Sequence, residues 1–190
     1  VMKYLQKVLP SDVIITNGAG NFAVWPNKFF QFGAGSRLLA PQSGAMGYGV
    51  PAAIAAKATF PDRTVVCFAG DGDFQMTCQE LATAAQAQIF PIILIVNNAT
   101  YGTIRVHQEK NYPGRVSCTD IVNPDFIGLA QSFGFLGISV KTTDGFFAAF
   151  SQALNSKNGA VLDLNVSSES LVPSQSLSEI RQKALNNQKD

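Results

Sequence analysis

The chain has 190 residues, enough for one domain with a sizeable core, and its net charge of +1 comes without a basic or acidic run. Nucleic acid is therefore not an expected partner, and the longest apolar runs, such as "PIILIV", are too short to cross a bilayer, so no membrane partner is expected either. Hydrophobic residues make up 46% and charged residues 14%, where soluble domains usually carry about 25% charge.

The chain opens on a helix-like "VMKYLQKVLP" and a strand-like "DVIIT" (12–16). A helix is predicted over "MGYGVPAAIAAKATF" (46–60), then a strand over "TVVCFA" (64–69), a helix over "FQMTCQELATAAQAQ" (74–88) and a strand over "PIILIV" (91–96). "NPDFIGLAQSFG" (123–134) and "TDGFFAAFSQALNSKNG" (143–159) read as helices, separated by the strand "LGISVK" (136–141) and followed by "AVLDLNV" (160–166). Asn123 or Asp125, and Thr143 or Asp144, offer N-caps to these two helices, while Gly134 and Gly159 offer stops. The strands are β-branched and lack polar alternation, as strands buried on both faces of a parallel sheet do. Residues 1–166 are thus expected to form a doubly wound, mostly parallel α/β sheet with helices on both faces, and residues 167–190 a polar tail with a short helix near "SLSEIRQKALNNQ". Ligands in such folds bind outside the carboxyl ends of the strands.

The charge deficit is local. No basic residue stands between Arg63 and Arg105, and from Phe29 to Pro61 the only charges are Arg37 and Lys57. Water-facing surfaces carry more charge than this, so part of residues 29–104 is expected to lie against another domain or subunit; the alternative is a large core with a neutral polar skin. Cys67, Cys78 and Cys118 show no C-x-x-C spacing, which fits neither a disulfide framework nor a zinc site and suits a reducing, cytoplasmic setting.

"GAGNFA" after the first strand matches the loosest dinucleotide fingerprint, but "LLAPQ" (38–42) offers no acid about 20 residues on for a ribose. The Gly18–Asn21 turn can still meet a phosphate at a strand's carboxyl end. A calcium loop starting at Asp71 would need Gly and Glu where Met76 and Ala82 stand. His107 is the only histidine and no serine sits in a G-x-S-x-G elbow, so a hydrolase triad is not expected. There remains "GDGDFQMT" after one strand and "NN" after the next. One helix and a return strand separate Asp71 from Asn98, which brings both to the same sheet edge. A carboxylate, an amide oxygen and a loop carbonyl form a hard oxygen set that suits Mg²⁺. Gly70 and Gly72 permit close backbone approach, and the helix expected to start near Phe74 turns free N–H groups toward an anion. A diphosphate is then held by metal and backbone without Lys or Arg. The alternative is a capping Asp71 and a turn at "NN".

The G-D-G and N-N pair, with its flanking "FQMT" and "QEL", resembles the signature of thiamine-diphosphate-dependent enzymes. "SGAMGYGVPAAIAAK" (43–57), "NNATYGTIRVHQE" and "NPDFIGLAQSFG" extend the likeness to the C-terminal, diphosphate-binding domain of the acetohydroxyacid (acetolactate) synthase and benzaldehyde lyase group. The resemblance implies Mg²⁺ ligation by Asp71, Asn98 and the backbone oxygen of Thr100. It implies diphosphate contacts from the N–H groups of Gly72 and Asp73, with Gly70, Asn21 and Tyr101 beside the cofactor. The carbonyl of Gly44 would accept from the aminopyrimidine, and Met46 would wedge under the bent cofactor; an ordinary core methionine is the alternative. The implied activity is cleavage or formation of a C–C bond beside the carbonyl of a 2-oxo acid or related acyl donor.

In the group it resembles, synthases that make acetohydroxyacids commonly carry a tryptophan a few residues after the "NN" loop, where Val106 and His107 stand here. His107 is a candidate substrate-facing group; the alternative is an exposed loop histidine. The resemblance also implies an activating glutamate from a pyrimidine-binding domain absent from this chain. Neither Glu80 nor Glu109, the latter read as lying in the loop after "NN", belongs to a segment of that kind. A homo-oligomer (dimer or tetramer) and a middle domain able to hold FAD are compatible with the likeness. The competing class is a non-catalytic nucleotide-binding α/β module.

Overall fold

A computed structural model describes residues 1–188. Its centre is a six-stranded, all-parallel sheet built from β1 (Ile14–Asn17), β2 (Arg37–Leu39), β3 (Val65–Gly70), β4 (Ile92–Asn97), β5 (Leu136–Val140) and β6 (Ala160–Asn165). The strand order is β2-β1-β3-β4-β6-β5. Each long strand sorts its side chains by alternation. In β3, Val65, Cys67 and Ala69 enter one core with Ile93 and Ile95 of β4, while Val66 and Phe68 enter the other with Ile92 and Leu94. Both faces are apolar, which is why these strands read as continuous hydrophobic runs.

The first face is covered by α3 (Gly49–Thr59), α5 (Glu80–Ala87) and α7 (Phe126–Ser132), and the second by α1 (Met2–Val8) and α8 (Thr143–Asn155). Helix α3 lies tightly on β1. Thr16 Oγ1 donates to the Gly49 carbonyl at 2.8 Å, and a Cβ on Gly49 would stand 2.8 Å from the Gly18 nitrogen. On the second face Phe146 and Phe150 stack at 5.4 Å between centroids and meet Tyr4 of α1 edge-on.

Several sequence expectations need correction. The helix expected near Phe74 begins at Asp71, as the short α4 (Asp71–Gln75), and a bend separates it from α5. "GTIRVHQEKN" is not loop but α6 (Gly102–Asn111), so His107 and Glu109 are helical. Asp125 caps α7 by accepting from the N–H groups of Ile127 and Gly128, whereas Asn123 bonds elsewhere. Thr142, one residue before the expected pair, caps α8. The short α2 (Val24–Phe29) and β2 carry too little periodicity to be legible beforehand. The tail forms α9 (Leu177–Asn187) behind a capping box of Ser176 and Glu179. It packs Leu171, Leu177 and Ile180 against Val106 of α6.

Candidate functional site

From β1 the chain leaves toward one edge of the sheet, and from β3 toward the other. The crevice outside the carboxyl ends of these two strands is the topological switch point, where folds of this kind bind ligands. A cavity of about 470 Å³ opens there. It is lined by the turn after β1 (Ala19 to Phe22), by Gly44 and Met46, by Gly70 to Asp73, and by Asn98 with Thr100 to Ile104. Asn21, Gly44, Met46, Gly70, Asp71, Gly72, Asp73, Asn98, Thr100 and Tyr101 are thereby brought together. His107 is not among them; it stands exposed on α6.

Asp71, at the N-terminus of α4, is buried, and both its oxygens are engaged. Oδ1 accepts from the Gly72 N–H at 3.0 Å and Oδ2 from Asn123 Nδ2 at 2.8 Å. Across the cavity the chain leaves β4 through a turn in which Ala99 takes φ +53°, a left-handed conformation uncommon for a residue with a Cβ. Asn98 Oδ1 accepts from the Thr100 N–H at 3.0 Å and fixes that turn. The turn is paired to a neighbouring loop, with Tyr101 N–H donating to the Thr119 carbonyl at 2.8 Å and Ile121 N–H to Ala99 at 2.9 Å.

Asp73 ties three segments together. Its Oδ1 accepts from Gly47 N–H at 2.8 Å and from Ala19 N–H at 3.3 Å. Burial pushes its carboxyl up to about 6, against the downward pull of the Gly47, Ala19 and Gly70 backbone hydrogen bonds. Gly18 is required beside it, since a Cβ there would sit 2.0 Å from Asp73 Oδ1. Gly72 is equally constrained, because a Cβ would meet Tyr101 Cε1 at 2.5 Å. Asn21 is held by Thr103, which donates to its Oδ1 and accepts from its N–H, both at 3.0 Å. Cys67 beneath the site is no nucleophile, because burial pushes its thiol up to about 12.

These residues fit an anionic ligand bridged to a hard cation. Among the described residues, Asn21 Nδ2 is buried with no hydrogen-bond partner, a donor free for an anion in a cavity that none of the described Lys or Arg residues lines. Among the described residues no group of three His, Cys, Asp or Glu is gathered, so a cation here must draw on neutral oxygens as well as Asp71. Asn98 and the Thr100 backbone offer them, the oxygen-rich set Mg²⁺ takes.

Residues 18–164 match the family model of the thiamine pyrophosphate enzymes, C-terminal TPP binding domain. The chain belongs to this family. It is a thiamine-diphosphate-binding domain, and acetolactate synthases are among the curated relatives it resembles. It is 36% identical over 160 residues to the acetolactate synthase large subunit of Parasynechococcus marenigrum, covering 83% of this chain and 26% of that protein. Against the large subunit of Haemophilus influenzae the identity is 42% over 136 residues, covering 70% and 24%. Among solved structures it is similar to a thiamine diphosphate-dependent 4-hydroxybenzoylformate decarboxylase of Rhodococcus jostii. The TM-score is 0.78 and the identity 29%, over 87% of this chain and 32% of that one. The chain therefore spans about a quarter to a third of the proteins it matches.

Sequence reasoning missed Asn123, Thr103, Asp163 and the pairing of Glu109 with Arg181. Asn123 carried a signal, an Asn ahead of a helix, but that signal is shared with ordinary caps. The rest are long-range partners with no local pattern.

Proposed function

We propose that this domain holds thiamine diphosphate and Mg²⁺ for an acetolactate synthase-like enzyme that decarboxylates or carboligates 2-oxo acids. The observation that carries the reading is the convergence of Asp71, Asn98, Thr100, Asn21, Gly44 and Met46 on one cavity at the switch point. In this assignment the Asp71 carboxylate, the Asn98 side-chain oxygen and the Thr100 carbonyl ligate the cation. Asn21 and the N–H groups of Gly72 and Asp73 receive the diphosphate, and the glycines at 70 and 72 keep the backbone open to it. Gly44, at φ +65° with open space where a Cβ would point, turns its carbonyl to the aminopyrimidine. Met46 supports the cofactor's bend and Tyr101 walls the diphosphate end. His107 takes a substrate-facing role only if a bound substrate extends over the outer face of α6.

When bound, thiamine diphosphate supplies a carbanion-stabilising thiazolium carbon, and the protein supplies binding, orientation and exclusion of water. Among the described residues the acids lining the cavity are Asp71 and Asp73. The activating glutamate is assigned to a pyrimidine-binding domain of another subunit or chain, in a cytoplasmic homo-oligomer. That partner would also cover Met46, Tyr48, Met76 and Ile104, which stand 38%, 38%, 50% and 53% exposed. FAD, where present, belongs to a further domain.

The test is complementation. Given thiamine diphosphate, Mg²⁺ and pyruvate or other 2-oxo acids, the isolated chain should release no CO₂ above the cofactor's background. Turnover should appear when a pyrimidine-binding partner is supplied. Robust turnover by the chain alone would overturn the assignment of the glutamate to a partner.

A further inference from the structure

One segment touches both halves of the proposed cation site while lining none of the cavity: the loop 119–123 between α6 and α7. Its backbone pairs with the turn after β4 through Thr119 and Ile121, which clasp Tyr101 and Ala99. Ile121 also packs against the opposite wall, since a Cβ on Gly72 would stand 3.1 Å from Ile121 Cδ1. The loop ends at Asn123, whose side chain does not cap α7. Its Nδ2 donates at once to Asp71 Oδ2 at 2.8 Å and to Asn97 Oδ1 at 2.9 Å.

The direction of that amide is fixed from both sides. Gln75 Nε2 donates to Asn123 Oδ1 at 2.9 Å, so the amide oxygen faces Gln75 and the nitrogen faces Asp71. Asn97 is in turn oriented by Asp163 on β6, to which its Nδ2 donates at 2.9 Å. A continuous hydrogen-bonded row thus runs from β6 through β4 and the loop to the Asp71 carboxylate. With Oδ1 held by the Gly72 N–H and Oδ2 by Asn123, that carboxylate has one orientation and keeps only part of its acceptor capacity free.

We infer that Asn123 is a positioning residue for the cation site: it aims the Asp71 carboxylate, and the loop 119–123 holds that carboxylate in register with the Asn98–Thr100 turn. The inference rests on the assignment of Asp71 as a metal ligand. Partners of this kind around ligating carboxylates typically change metal affinity about 10- to 100-fold when removed.

The experiment is a calorimetric Mg²⁺ titration of the assembled protein in a fixed excess of thiamine diphosphate, beside melting curves recorded without metal. Asn123→Ala should weaken Mg²⁺ binding by about tenfold or more. Gln75→Ala, which frees the amide to turn, should weaken it in the same direction by less. The metal-free melting temperature of Gln75→Ala should stay near that of the unaltered protein, which separates positioning from a general loss of structure. Unchanged Mg²⁺ affinity in both variants would overturn the inference, and if Asn123→Ala does not fold, Gln75→Ala alone decides. Asp71→Ala serves as the reference: if it binds Mg²⁺ normally, the metal assignment itself has failed, whereas loss there with normal binding in the other two defeats only the role of Asn123.

Discussion

Arg181 and Glu109 stand 72 positions apart and meet through two hydrogen bonds, Nε to Oε2 at 2.7 Å and Nη2 to Oε1 at 2.5 Å. The Glu109 side chain is 1% exposed. Arg105 Nε at 3.2 Å and the Gly114 N–H at 2.9 Å complete its shell. This pairing fastens α9 to α6, whose first turn carries Thr103 and Gly102 into the cavity. Removing one partner of a buried pair costs about 3–5 kcal/mol when the other charge is left alone. Arg105 remains here and Arg181 is partly exposed, so Arg181→Ala should cost roughly 2 kcal/mol in urea denaturation. Arg181→Lys should recover only part, because a single ammonium cannot reproduce the guanidinium fork.

The same carboxylate sets an acid limit. Arg181's hydrogen bonds, helped by Gly114 and Arg105 against the cost of burial, pull Glu109 from 4.5 down to about 2. Its folded value lies below its unfolded one, so its contribution is complete above about pH 4.5 and is lost as pH falls toward 2. The amount at stake is on the order of 2–3 kcal/mol. Melting temperatures of the unaltered protein and of Glu109→Gln, followed from pH 6 to pH 2.5, should converge as the pH drops. Parallel curves would show that Glu109 does not carry this acid sensitivity.

The sheet was legible because its strands are buried on both faces and keep uninterrupted apolar runs from Val65 to Ala69 and Ile92 to Val96. The ligand end was legible because Gly-Asp-Gly and Asn-Asn are local patterns. The α6 helix was not. "GTIRVHQEKN" is polar, and its buried face is completed by Val106 and by Glu109, whose burial depends on Arg181 far along the chain. Asn123 and Asp125 could not be told apart as caps of α7 for a related reason, and it is Asp125 that caps. An Asn just ahead of a helix fits a cap, and only the approach of Asp71 and Asn97 in space gives it another partner.

Gly49 is where α3 touches β1. An added Cβ would lie 2.8 Å from the Gly18 nitrogen, 3.0 Å from the Asn17 carbonyl carbon and 3.2 Å from Cys67 Sγ. Two of these are backbone atoms where the strand ends and the next turn begins, and they cannot yield as a side-chain tip does. Gly49→Ala should therefore destabilise the fold by about 1–3 kcal/mol despite alanine's better helix propensity. Thermal denaturation checks it, and a stabilised variant would mean that α3 sits farther from β1.

Met46 lines the cavity and is 38% exposed beside it. If it supports the cofactor by shape, Met46→Leu should be tolerated as a near-isosteric change. Met46→Ala should keep diphosphate binding while lowering turnover of the assembled enzyme. Steady-state kinetics with a binding titration separates the two, and normal turnover in the alanine variant would remove the wedge role.

In the proposed assignment the diphosphate is held through a cation on Asp71, because among the described residues no Lys or Arg lines the cavity to replace it. Calorimetry of thiamine diphosphate binding to the assembled protein tests this directly, with Mg²⁺, with a chelator, and for Asp71→Ala in excess Mg²⁺. Binding is expected in the first case and none in the other two. Unchanged affinity in Asp71→Ala would contradict the assignment.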